Sequence, residues 1–127
     1  IKNFIENAVK VTINSGIIND PENLAVILAG DFNSNAYSID RFTRLQMLLG
    51  SPRDLHKEFH GTKEEYTFGF RDRKPSRRFD YIFAYDKISN IPLKKIRLID
   101  SGVEDIKDDN QISISDHLAL KASLSIN

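Results

Sequence analysis

Cysteine is missing from the chain altogether, which excludes disulfides and thiolate-bound metal and leaves carboxylates, amides and imidazoles to hold any ion. Net charge is missing too. Eighteen Lys and Arg stand against eighteen Asp and Glu, so no global field steers the molecule toward nucleic acid or an anionic membrane, and electrostatic recognition must be local. No apolar run approaches the roughly 20 residues that cross a bilayer, which leads us to expect a soluble protein. Its compartment stays undecided: the first residue is Ile1 rather than methionine, so a processed or secreted chain fits as well as any other. Internal repeats, low-complexity tracts and a Gly-x-Ser-x-Gly nucleophile elbow are also lacking.

What is present suits one domain: 127 residues, 40% hydrophobic, enough for a sizeable core. The chain is organised around Leu24 to Asn35, LAVILAGDFNSN. Six apolar residues predict a buried strand, and Gly30, Asp31, Phe32 and Asn33 follow at once. Such a string reads as an ordinary turn, because Gly, Asp and Asn tolerate left-handed backbone angles, or as a polar site on a rigid mount. Two further stretches favour the site. Phe79 to Phe83, FDYIF, predicts a strand with Asp80 near its start, and Ser115-Asp116-His117 precedes an alternating strand, Leu118 to Ile126. If the first strand runs antiparallel to the other two in one sheet, Asp31, Asn33, Asp80, Asp116 and His117 converge on one edge.

Around these strands, Ile1, Phe4, Ile5, Ala8, Val9, Thr12 and Ile13 recur at helical spacing, with Gly16 as the stop. Ser38 is placed to cap a second helix with Phe42, Leu45, Leu48 and Leu49 on one face, ended by Gly50-Ser51-Pro52. Arg53 to Lys74 has a weak pattern, and His56 and His60 read as solvated loop residues. Tyr66 to Phe70 suggests a short strand. The run Arg71 to Arg78, RDRKPSRR, holds five basic residues and one acid. It reads either as a solvated loop or as a phosphate-contacting one, in which Arg77 and Arg78 are substrate-binding candidates. Ile91 to Ile99 predicts another strand. Glu104 to Asn110 is acidic without the Asp-x-Asp-x-Asp-Gly order of a calcium loop, so a mobile loop is expected.

At the converged edge these residue types suit metal-assisted hydrolysis of a phosphodiester. A histidine held by a carboxylate makes a base near neutral pH, a role open to His117 with Asp80. Asn33 offers a neutral donor to a phosphate oxygen, while Asp31 and Asp116 are hard oxygen ligands for magnesium or manganese. Serine hydrolysis fits less well. Residues Ser115 and His117, two steps apart in a strand, stand roughly 6 to 7 Å from each other, too far for a nucleophile and its base.

GDFN at Gly30 to Asn33, RRFDYIF at Arg77 to Phe83 and SDH at Ser115 to His117 together resemble, in order and rough spacing, the endonuclease/exonuclease/phosphatase superfamily. The resemblance implies an α/β (α+β) fold, a mixed and largely antiparallel sheet flanked by helices, as the C-terminal half of a four-layer α/β sandwich. It implies a metal-dependent hydrolase in which Asp31 orients or activates water and Asn33 binds the scissile phosphate. His117 would act as acid or base, or bind phosphate as imidazolium, with Asp80 as its partner and Asp116 at the metal. The family's principal metal-binding glutamate precedes the region matched here, so residues 1–127 are expected to be half of the full domain. Such a half is expected to expose an apolar sheet face and to self-associate through it. RFTRLQMLL, YTFG and RRFDYIF, with no tryptophan anywhere, resemble bacterial sphingomyelinase-like phosphodiesterases more than repair nucleases. The implied substrate is a phospholipid, with nucleic acid as the second reading and a non-catalytic binding module as the third.

Overall fold

The computed structural model describes residues 1–69 and 74–126. Arg71 and its two neighbours in the basic run, and the end of the strand expected to reach Phe70, lie outside the described residues. Among the described residues, three α-helices, α1 (Lys2–Asn14), α2 (Ile39–Leu49) and α3 (Leu55–His60), are interspersed with seven strands: β1 (Val26–Asp31), β2 (Arg53–Asp54), β3 (Asp80–Tyr85), β4 (Lys87–Ile88), β5 (Ile91–Pro92), β6 (Arg97–Glu104) and β7 (Ala119–Ser125). All strand pairs are antiparallel, and the fold is α+β. No described helix is long and apolar enough to cross a membrane.

The central sheet has the order β1-β3-β2, and its two faces are built by strand alternation. In register, Leu28 sits opposite Phe83 and Val26 opposite Tyr85, placing these side chains on one face. Ile5 and Val9 of α1 join Tyr85, with Val26 and Leu28 beside them, while Leu45 and Leu49 of α2 join Tyr81 and Phe83. The Tyr85 hydroxyl donates to the Leu49 carbonyl at 2.9 Å, satisfying a C-terminal orphan of α2. On the opposite face, Ala84 packs with Leu55 and Ile96, and with Leu98 of β6 and Leu124 of β7.

Both long helices stand where periodicity puts them. Ser38 is the N-cap of α2, although its hydroxyl bonds no backbone N–H, and Gly50 ends the helix at φ 81, a left-handed angle that glycine adopts without strain. Leu48, expected on the buried face, is exposed.

Four segments differ from expectation. The β1 strand, expected to be buried, lies at the edge of its sheet, with no residue fully buried and Ile27 exposed, because β3 pairs with it on one side only. Residues 91–99 are split between β5 and β6, which belong to different sheets. Register slips between Leu98 and Asp100, and the bulge turns Ile99 out to 54% exposure, breaking the period-two pattern. The β7 strand pairs with β6 rather than joining β1 and β3. Finally, the acidic run is a closed turn: Asp108 Oδ1 accepts the N–H groups of Asn110 and Ile112, both at 2.9 Å, and Ile114 N–H donates to Ile106 O at 3.0 Å. That turn holds Ile106 and Ile114 side by side and largely exposed.

Candidate active site

Asp31 closes β1 directly opposite Asp80, the first residue of β3, so two carboxylates leave the sheet at the same end. After Asp31 the chain turns sharply. Its Oδ1 accepts the Asn33 N–H at 2.7 Å, the local bond that makes aspartate a turn former, and Asn33 sits at φ 50, where asparagine is better tolerated than most residues. One oxygen of Asp31 is thereby spent on the backbone. The other is free to face the site.

His117 arrives by an unexpected route, since its strand is in another sheet. Thr67, fully buried, accepts the N–H groups of Phe79 and Asp80 on Oγ1, at 3.2 and 3.4 Å. Its carbonyl accepts the Leu118 N–H at 2.7 Å. This single threonine ties the start of β3 to the start of β7. Phe68 beside it forms isolated bridges with Arg77 and His117 and lays its ring 4.8 Å from the imidazole centroid.

The outcome is a dyad. His117 Nδ1 lies 2.8 Å from Asp80 Oδ2, so the carboxylate holds a proton on Nδ1 and turns Nε2 outward, 3.8 Å from Asp31 Oδ2. Burial opposes charge on the ring and is the largest single influence. The hydrogen bond and charge of Asp80, with the charges of Asp31 and Asp116, together outweigh it and raise the pKa of His117 above its ordinary value.

Asp31, Asp80 and His117 thus form one cluster whose ligand atoms all lie within 4.8 Å of one another. Asn33 is exposed beside it. Asp116 is exposed and outside that cluster, though its charge still reaches His117. The donors suit a divalent ion only in part: Asp31 offers one uncommitted oxygen, Asp80 is engaged by His117, and magnesium asks for six oxygens, several of them water. Arg77 keeps an exposed side chain while its backbone pairs with Phe68.

Arg78 must be moved from the surface to the interior. It is 1% exposed; its guanidinium forms a buried ion pair with Asp54, donates to the Asp80 carbonyl at 3.2 Å and lies 4.5 Å over the Tyr81 ring. Enclosed in this way it does not meet solvent or a substrate; it holds the backbone of Asp80 in place. Asp54 in turn caps α3, accepting the Lys57 N–H at 3.2 Å. His56 and His60 are likewise not solvated. They lie in α3 with rings 4.3 Å apart, and His56 is 1% exposed. Thr67 and Asp54 were not singled out from sequence. Asp54 ahead of an apolar Leu55 carries an N-cap signal, but nothing local announces its partner 24 residues on.

Beside the dyad lies an open cavity of about 320 Å³. Asp80 and His117 border it, and Ile82, Ile106, Ile114 and Leu120 supply apolar walls.

Residues 7–117 match the Endonuclease/Exonuclease/phosphatase family, and the chain belongs to that family. Its members are typically hydrolytic enzymes and generally depend on a divalent metal. Comparison with curated proteins and with solved structures returns no match.

Proposed function

We propose that this chain carries the acid-base half of a metal-dependent phosphodiester hydrolase, sphingomyelinase-like in its substrate. The observation that carries the reading is the Asp80-His117-Asp31 constellation set against an apolar cavity. With Asp80 holding Nδ1–H and three carboxylates favouring the imidazolium, protonated His117 presents an Nε2–H to a phosphate or leaving-group oxygen. Asp31, 3.8 Å away, orients and deprotonates the attacking water. Asn33 donates its amide to a non-bridging oxygen, and Arg77 meets the phosphate from the side of Phe68.

Magnesium, or manganese, fits this reading with Asp31 as its ligand from the cluster and Asp116, next to His117 in the chain and outside that cluster, as the second candidate. When bound it neutralises charge on the phosphoryl oxygens. Its remaining ligands come from outside these residues, in keeping with a domain of which residues 1–127 form one half. Self-association through exposed apolar side chains such as Ile27 on β1, 43% exposed, belongs to the same proposal.

Apolar walls beside the dyad, from Ile82, Ile106, Ile114 and Leu120, support a phospholipid over nucleic acid, because they offer no basic surface of the kind that backbone recognition calls for. Assaying labelled sphingomyelin beside single- and double-stranded DNA, with and without magnesium, tests this. Magnesium-dependent turnover of the lipid is expected. Cleavage of DNA alone transfers the reading to a nuclease, and binding without turnover of either makes the chain a recognition module.

A further inference from the structure

Behind Arg78, on the inner side of α3, three ligand-type side chains meet away from the dyad: His56, His60 and Glu65, their ligand atoms within 4.8 Å of one another. The hydrogen bonds decide their proton states. Ser101 Oγ donates to the Lys121 carbonyl at 3.0 Å, which uses its only hydrogen, so at its 2.9 Å contact with His56 Nδ1 it must accept. His56 therefore carries its proton on Nδ1 and a lone pair on Nε2. That lone pair has no hydrogen-bond partner and is completely buried, as is Glu65 Oε2, which it faces at 3.5 Å. Two acceptors aimed at each other in a dry interior repel, and a buried polar atom left unpaired costs about 1–3 kcal/mol. Something positive belongs between them.

We propose that His56, His60 and Glu65 form a divalent-metal site of the nitrogen-rich kind that zinc prefers. Tetrahedral zinc with bonds of about 2.0 to 2.1 Å separates its ligand atoms by about 3.3 Å. Glu65 Oε2 stands 3.5 Å from His56 Nε2 and 3.3 Å from His60 Nε2. The ligands are held from behind: Ser101 fixes His56, and Tyr37 Oη both donates to the Glu65 carbonyl at 2.6 Å and accepts the Glu65 N–H at 2.7 Å. Lys63 takes the other carboxylate oxygen at 3.2 Å, leaving Oε2 for the metal. His60 now donates Nε2–H to the Ser101 carbonyl at 2.8 Å; ligation requires this ring to turn from Ser101 toward Glu65, moves the proton to Nδ1 and gives up this bond. His56 also borders an open cavity of about 280 Å³, while its Nε2 and Glu65 Oε2 are themselves completely buried.

The test titrates metal-stripped protein with zinc, and with cobalt as a coloured reporter of tetrahedral geometry. One equivalent of zinc is expected, with two imidazole nitrogens in its X-ray absorption shell, undisturbed by excess magnesium because nitrogen donors select against it. Glu65→Gln, its fold checked by circular dichroism without metal, should lower the affinity on the order of 100-fold, and His60→Gln should weaken it too. Asp31→Asn should leave it unchanged. Equal zinc affinity in wild type, Glu65→Gln and His60→Gln overturns the site, as does displacement by magnesium or loss of binding in Asp31→Asn, which would place the metal at the dyad.

Discussion

The molecule holds two histidine-carboxylate groups, and they behave in opposite ways. At the open end of the sheet, His117 meets Asp80 at 2.8 Å through a proton and is pushed toward its charged form. Inside α3, His56 meets Glu65 at 3.5 Å with no proton between them and is pushed toward its neutral form. The residue types are the same. What differs is exposure and second contacts: His117 is partly exposed with three carboxylates around it, whereas His56 is buried, has spent its N–H on Ser101 and feels the charge of the Arg78 guanidinium. An exposed, charge-favouring imidazole suits proton transfer to substrate, and a dry, lone-pair-bearing one suits a metal.

The sharpest way to break the comparison is at the dyad. His117→Ala in the active hydrolase should lower turnover by about 10² to 10⁴ while changing stability by no more than about 1 kcal/mol, read by phosphodiester assay and urea unfolding. Wild-type activity would reduce His117 to a surface residue. Next comes Arg78, which touches both regions. Removing one member of a buried ion pair typically costs about 3–5 kcal/mol, so Arg78→Ala should be strongly destabilised by chemical denaturation, and a loss under 1 kcal/mol would show that Asp54 finds other partners.

A third experiment uses pH. His56 has a folded pKa of about 4 against about 6.5 unfolded, so between these values the unfolded chain binds the extra proton. Its contribution to stability is therefore complete above about pH 6.5 and is lost as pH falls toward 4, roughly 3 kcal/mol in all. With chelator present, His56→Phe should flatten that limb of the stability profile; an unchanged slope would assign it to other groups. Magnesium supplies a fourth contrast. Calorimetry should find it binding these residues no better than roughly millimolar, given so few oxygen ligands, and micromolar affinity would mean a whole metal site resides here. The smallest effect is a ranking by NMR titration: the His117 pKa should fall most in Asp80→Asn, less in Asp31→Asn and least in Asp116→Asn, and any other order would revise the dyad's electrostatics.

Much of this was legible in the linear chain because it follows local rules. Helical spacing marks α1 and α2, a left-handed glycine stops α2, and GDFN announces a strand that ends in polar groups. Asp31, Asp80 and His117 could be picked out because each stands at a strand end, where a side chain is held firmly and still meets solvent. The same rules misplaced Arg78. In sequence it belongs to a basic run that looks solvated, and only the fold brings Asp54 and the Tyr81 ring to it. His56 and His60 failed for a related reason: a six-residue helix has too few turns to display a period, so their burial depends on Ser101 and Glu65 arriving from elsewhere.

By itself, the sequence determined the two long helices, the strand ending in Asp31 though not its exposure at a sheet edge, and the presence of a carboxylate-imidazole chemistry suited to phosphate, since each depends on neighbours within a few residues or on residue type alone. Tertiary structure decided the rest. It joined the His117 strand to the Asp80 strand through Thr67 rather than through a shared sheet, drew Arg78 inward, and gave two histidine sites opposite proton affinities. Those outcomes rest on burial and on contacts between residues distant in sequence, such as Thr67 with Leu118, Asp54 with Arg78 and His56 with Ser101, and solvent exclusion is a property of the packed molecule that no local pattern encodes.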